Sequence, residues 1–263
     1  MDICIIIPTY NNAATLPAVI ESVLGYIASV IVVNDGSTDR TGEILELYKE
    51  KITIVSYAKN RGKGYALQCG FDCARRMGYK YALTLDSDGQ HFAEDIPAFV
   101  EAIEKYPDAL IVGNRNLTQD NMPKKNTFAN RFSNFWFALQ TGQRLPDTQT
   151  GYRLYPLEKM KRLRPFTSRY EAELEMLVRC AWRGIRLVAI PVRVYYAPEG
   201  ERVSHFRPGV DFFRISLLNT LFVVLAVVYG YPARFFRYLR RVHFKLSQKC
   251  PVNPLAVHSW LNF

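Results

Sequence analysis

The sequence predicts an α/β fold, a mostly parallel sheet flanked by helices, with a helical appendage at its C-terminal end. Three observations carry this. Short apolar runs at 3–7, 30–33, 52–55 and 81–85 alternate with longer helical patterns, and a fifth at 109–112 follows another helix. Such alternation argues for parallel strands joined by right-handed crossovers. Each run ends in polar, turn-forming residues, which a parallel topology gathers on the carboxyl rim, where open α/β sheets bind ligands. Beyond residue 214 the pattern changes to an uncharged apolar run and then a basic stretch without one acid.

At 263 residues one such domain with an appendage is expected. The boundaries read as 1–208 for the α/β domain, 209–249 for an apolar then basic helical segment that associates with a membrane, and 250–263 for an unassigned tail. A net charge of +10 points to an anionic partner and leaves nucleic acid, a membrane surface, or nucleotide and lipid phosphates open. Five scattered cysteines, odd in number, read as reduced thiols on a cytosolic face. Met1-Asp2 leads directly into the first strand, so no secretory signal is expected.

The first strand ends in Pro8-Thr9-Tyr10-Asn11 and the second in Asn34-Asp35-Gly36-Ser37-Thr38-Asp39. There Ser37 or Thr38 stands where it would cap the next helix, Asp35 can accept hydrogen bonds from a base or ribose, and Gly36 admits a close backbone approach. After the third strand comes Asn60-Arg61-Gly62-Lys63-Gly64. It is not a Walker A loop, because Tyr57 replaces the first glycine and no Ser or Thr follows Lys63; Leu67 likewise breaks G-x-G-x-x-G. A basic, glycine-rich turn at a helix start still suits phosphate or base contacts.

The fourth strand runs into Asp86-Ser87-Asp88-Gly89-Gln90-His91. In extended backbone, residues two apart share a direction, so Asp86 and Asp88 can face one small hard cation while Gln90 adds an oxygen. An EF-hand is excluded by Pro97 at the twelfth position. Taken alone, the motif is more often an acidic turn capping the helix that starts near Glu94.

Together the four loops resemble the family-two inverting glycosyltransferases of GT-A fold, and most of all the dolichyl- or polyprenyl-phosphate sugar synthases, over about residues 2–200. The resemblance implies Pro8, Tyr10, Asn11, Asp35, Lys63 and Asp86 at a nucleotide-sugar donor. It implies Asp86, Asp88 and Gln90 around Mg²⁺ or Mn²⁺ on the donor diphosphate, with Asp88 in a catalytic role. Asn34 stands where many members carry Asp. A divalent cation would stabilise charge building on the departing diphosphate.

Arg115 follows the fifth strand and Arg131 lies in the next helix; guanidinium forks match phosphate oxygens, and the resemblance implies an acceptor phosphate for both. The run Asp147-Thr148-Gln149-Thr150-Gly151-Tyr152-Arg153 resembles the acceptor-side motif, an Asp before a Gly-aromatic-basic turn. Asp147 is the general base if the acceptor is a hydroxyl. If it is a lipid phosphate, already ionised, Asp147 orients Arg153 or the substrate instead. A Q-x-x-R-W motif is absent, which argues for single-sugar transfer.

The acids of Tyr170-Glu171-Ala172-Glu173-Leu174-Glu175 read as an acidic first turn favoured by the helix dipole. A strand at 185–196 carries Pro191, which suggests a sheet edge. The loop at 198–208 could be a lid offering Arg202, Ser204 and His205 to a phosphate, or an ordinary linker.

The uncharged run 215–233 would span about 28 Å at ~1.5 Å per residue, near the ~30 Å hydrocarbon thickness. Ser216, Asn219 and Thr220 interrupt it and Pro232 closes it, so a span, an interfacial helix and a buried core helix all stay open. Arg234, Arg237, Arg240, Arg241, Lys245 and Lys249, interleaved with Phe235, Phe236, Tyr238 and Phe244, read as a helix on anionic headgroups. No nucleic-acid motif appears, and no nucleic acid partner is expected.

The expected activity is metal-dependent, inverting transfer of one sugar from a nucleotide-diphosphate sugar to a lipid-linked, polyprenyl-phosphate-like acceptor at the cytoplasmic side of the cell membrane. A soluble transferase using a glycan or small hydroxyl acceptor is the alternative within enzymes. A binding protein that keeps the fold without turnover is the alternative outside them.

Overall fold

The computed structural model describes residues 2–115, 124–195 and 208–249; Arg202, Ser204, His205 and the tail at 250–263 lie outside them. Seven strands form one sheet: β1 (Ile3–Thr9), β2 (Val30–Asp35), β3 (Thr53–Tyr57), β4 (Tyr81–Thr84), β5 (Leu110–Arg115), β6 (Arg153–Pro156) and β7 (Leu187–Val192), in the order β3-β2-β1-β4-β6-β5-β7. β1 pairs in parallel with β2 and β4, β2 with β3, and β5 with β7. The sheet is therefore mostly parallel, as expected.

β6 is the exception, antiparallel to both neighbours, β4 and β5. This corrects the reading of Tyr152-Arg153 as part of a turn: Arg153 opens a strand and is fully buried. β7 is an edge, where the missing N–H of Pro191 breaks no inner ladder.

Side chains alternate across β1 and β2, so Cys4, Ile6, Ile31 and Val33 face one core and Ile3, Ile5, Ile7, Val30 and Val32 the other. The second core is covered by α1 (Leu16–Leu24) and α4 (Ile96–Lys105), the first by α3 (Lys63–Arg76), α5 (Lys124–Thr141) and α6 (Glu171–Trp182). The helix between β2 and β3, α2 (Thr41–Leu47), starts later than the cap reading required. Asp39, not Ser37 or Thr38, accepts from the Thr41 N–H at 3.0 Å, while Ser37 Oγ accepts from the Asn11 N–H.

A long helix ends the described residues: α7 (Pro208–Leu225), a π-helical turn at Ala226–Gly230, and α8 (Tyr231–Lys249). Its stretch Phe213–Arg240 is long and apolar enough to cross a membrane by length and composition. Leu218, Phe222, Ala226 and Gly230, four residues apart, form one buried stripe, and the first three join the core shared with α5 and α6. The Trp182 ring of α6 lies 5.4 Å from that of Phe222, and its Nε1–H donates to the Gln140 carbonyl at 2.8 Å. The opposite stripe, Phe213, Leu217, Leu221, Val224, Val228, Phe235 and Leu239, is exposed.

Two of the cations expected at lipid headgroups are used inside the protein. Arg234 donates to the carbonyls of Thr141 and Gly142 at the C-terminus of α5, where a cation meets the negative end of the helix. Arg237 lies against Gly184 at the end of α6.

Gly70 of α3 packs so close to β1 that a Cβ there would stand 2.6 Å from Ile6 Cγ2. Gly70→Ala should cost about 1–3 kcal/mol of stability by overpacking. Gly42→Ala, in the first turn of α2 with open space around it, should stabilise by about 0.5–1 kcal/mol. Thermal unfolding of the two variants checks both, and an unchanged melting temperature for Gly70→Ala would contradict this packing.

Candidate active site

The parallel strands end on one rim, and the turns that follow line a single cavity of about 1120 Å³, generous for one small molecule. Pro8, Tyr10 and Asp35 reach it from β1 and β2, Lys63 from the start of α3, and Asp86, Asp88 and Gln90 from the turn after β4. Arg115 reaches it from the end of β5 and Arg153 from the start of β6, where Arg153 pairs with Thr84 of β4. Of the residues picked from sequence, Asn11, Arg131 and Asp147 do not line it.

Asn11 holds two loops together. At φ 51°, its Oδ1 accepts from the N–H groups of Thr38 (2.8 Å) and Asp39 (3.3 Å). Asp35 ties the second loop to the third in the same way, accepting from Asn60 Nδ2 and from the N–H groups of Arg61 and Gly62 at 2.7–3.0 Å. The approach that Gly36 permits is to the Lys59–Asn60 backbone, 2.5 Å from where a Cβ would sit. Glycines 62 and 64 likewise let α3 abut Ser168 and Arg169 before α6 and Ala172 in its first turn. These glycines answer to packing between loops, a purpose their spacing alone does not reveal.

At the centre, Lys63 Nζ lies 2.6 Å from Asp86 Oδ1 and 2.9 Å from Glu173 Oε2. Burial opposes its charge, but the two carboxylates win and raise its pKa. For Asp86, burial pushes upward and Lys63 overrides it, holding the carboxyl below the ordinary range. Gly151 covers the pair, and any side chain there would collide with Asp86 Oδ2 and Lys63 Nζ. The sequence marks Glu173 only as a charge favoured by the helix dipole. Every residue from Glu171 to Val178 is buried in the structure, so the acids of α6 point inward, a tertiary fact without a sequence signal.

Asp88 lacks such a partner. Burial, then the negative charge of Asp86, raises its carboxyl to about 6, and the Gln90 N–H at 3.0 Å is its local support. Two neighbouring carboxylates, one of them short of positive charge, suit a divalent cation. Among the described residues, no group of three or more His, Cys, Asp or Glu could hold a metal ion alone. The fit is therefore to Mg²⁺-type binding, in which one or two carboxylates share the ion with substrate phosphates. His91 beside them is kept neutral, its pKa lowered to about 4 chiefly by burial.

Asp147 sits behind the cavity wall, 1% exposed. It accepts from Arg115 Nε (2.6 Å) and Nη2 (3.0 Å), Asn130 Nδ2 (2.6 Å) and the Gln149 N–H (3.0 Å). Burial raises its pKa, but the hydrogen bonds and charge of Arg115 prevail and hold it below the carboxylate range. Its fork-to-fork grip aims Arg115 at the cavity. Arg131 is exposed, and its neighbour Asn130 is the residue of that pair that serves the site. Arg153 donates to the carbonyls of Glu173 (2.8 Å) and Thr148 (3.0 Å), while its Nε has no partner.

Asp147→Ala leaves Arg115 without its buried counter-charge and should cost about 3–5 kcal/mol of stability near neutral pH. Because the folded pKa is depressed, that contribution is present above the ordinary carboxylate pKa and lost as pH falls through the folded one. Denaturant unfolding of wild type and variant should therefore differ at pH 7 and begin to converge only as the pH falls below about 4.

The description "Glycosyl transferase family 2" matches residues 4–164. The glycosyltransferase AglJ of Haloferax volcanii is 31% identical over 201 residues, 75% of this chain and 64% of that protein. A polyprenol monophosphomannose synthase of Mycolicibacterium smegmatis is 28% identical over 72% of this chain and 75% of its own. In fold, the chain is similar to the crystal structure of glucosyl-3-phosphoglycerate synthase from Mycobacterium tuberculosis with Mn²⁺, UDP-glucose and phosphoglyceric acid. The TM-score is 0.60 at 20% identity, covering 85% of this chain and 79% of that one. A strand-end cavity of this make, on a GT-A-like sheet and within that family match, identifies the chain as a member of glycosyl transferase family 2 and a glycosyltransferase.

Proposed function

We propose that this enzyme transfers a single sugar, with inversion, from a nucleotide-diphosphate sugar to a polyprenyl-phosphate-like lipid acceptor at the cytoplasmic face of a membrane. The observation that carries the reading is the presence of both charges in one cavity: the carboxylates Asp86 and Asp88 together with the guanidinium groups of Arg115 and Arg153. The two carboxylates suit a cation-bound diphosphate, the two arginines a second anion. A relative named for polyprenol monophosphomannose synthesis supports a lipid phosphate as that anion.

In this reading Pro8, Tyr10 and Asp35 hold the nucleotide, with Asn11 fixing their loops, and Asp86, Asp88 and Gln90 hold Mg²⁺ or Mn²⁺. The ion would supply Lewis-acid stabilisation of the leaving diphosphate. Lys63 adds a fixed positive charge beside Asp86. Arg115 and Arg153 orient the acceptor phosphate for in-line attack, and Arg131 awaits it on the outer face of α5. Asp147, saturated by Arg115 and Asn130, is a weak base and acts by positioning Arg115. An acceptor that is already ionised needs no base, which favours phosphate over the hydroxyl alternative.

The exposed apolar stripe of α7 and α8 supports membrane association. Its opposite face is docked on α5 and α6, so the helix suits lying in the interface more than crossing the bilayer.

A panel of UDP- and GDP-sugars with a polyprenyl phosphate and Mn²⁺ should give one productive donor, and Asp88→Ala should lose about 100-fold or more in kcat. Undiminished transfer by the variant, or transfer only to free hydroxyl acceptors, would sink the proposal. Full-length protein should float with phosphatidylserine vesicles, and Leu217→Glu with Leu221→Glu should abolish flotation while leaving the melting temperature intact.

A further inference from the structure

We infer that the end of this cavity between α5, α6 and α7 seats the first isoprene units of the acceptor, with Asn219 at the boundary between chain and phosphate. This rests on the lipid-phosphate reading above and gives it a location.

The end of the cavity between the three helices carries an apolar patch, Phe132 of α5, Leu174 of α6 and Ile215 of α7, beside the buried Glu171, whose Oε1 lies 3.5 Å from Arg214 Nε. Two residues that line the cavity carry buried donors without acceptors. Asn219 is 2% exposed; its Oδ1 accepts from Gln140 Nε2 at 2.9 Å, which leaves its Nδ2 unpartnered. Arg153 Nε is in the same state. A buried donor left unpaired is costly, and both of these residues line the cavity, so an incoming ligand oxygen would relieve them. Oxygen-rich at one end and apolar at the other is the chemistry of an isoprenoid phosphate.

The outside of α7 gives the chain its route. Ile215 faces the cavity, while Phe213 and Leu217, two residues away on either side and so across the helix, are exposed members of the apolar stripe. The apolar end of the cavity therefore adjoins the surface proposed to touch lipid, and an acceptor need not leave the hydrocarbon to reach the arginines.

The test compares acceptors with and without a tail, using full-length enzyme, the productive donor, and either a C20 polyprenyl phosphate or methyl phosphate. Ile215→Asp should raise the KM for the C20 acceptor about tenfold or more, with the donor KM and the response to methyl phosphate unchanged, and Ile215→Leu should restore it. Phe132→Ala serves as a second variant should Ile215→Asp fold poorly, and should shift the same KM. Unchanged C20 KM values in both, or equal rises for the two acceptors, overturn the inference while leaving the functional reading standing. A wild-type enzyme that uses no polyprenyl phosphate at all overturns both.

Discussion

One ammonium group ties the active rim together. Lys63 begins α3, Asp86 opens the turn after β4 and Glu173 belongs to α6, and Lys63 Nζ meets both carboxylates within 3 Å. The contact demands that three backbones converge, and the glycines follow from that demand: 62 and 64 let α3 reach α6, and 151 leaves room over the ion pair. A buried charge cluster of this kind gains little net stability, because desolvation offsets much of the Coulomb attraction, but removing one member strands the others. Its effect is on geometry more than on stability.

The same logic explains the two carboxylates that share a motif and not an environment. Lys63 pairs with Asp86 and not with Asp88, whose carboxyl is pushed up by burial and then by the charge of Asp86. Asp147 and Arg115 form a satisfied pair whose guanidinium is presented to the cavity. The cavity thus holds one carboxylate outside the Lys63 pair and two arginines able to receive an anion, a polarity suited to carrying two phosphorylated molecules side by side.

The long C-terminal helix does two jobs at once. Its inner stripe completes the core against α5 and α6, and Arg234 caps the end of α5, so this segment is a layer of the domain and not a detached anchor. Its outer stripe is apolar along its length.

The sequence by itself determined the parallel half of the sheet, the edge position of β7 and the gathering of Asp35, Lys63, Asp86 and Asp88 on one rim, because apolar periodicity and turn residues are local signals. It could not reveal β6 as an antiparallel insert, since a four-residue strand flanked by turns looks like a turn. Nor could it separate Asn130, which grips Asp147, from exposed Arg131 beside it; which side of a helix faces inward is set by its neighbours. The partnering of Lys63 with Glu173, the withdrawal of Asp147 behind Arg115 and the docking of Arg234 are contacts between distant segments. Only the tertiary structure decided them, because charge pairs form where folding brings them and burial, not spacing, determines what they do.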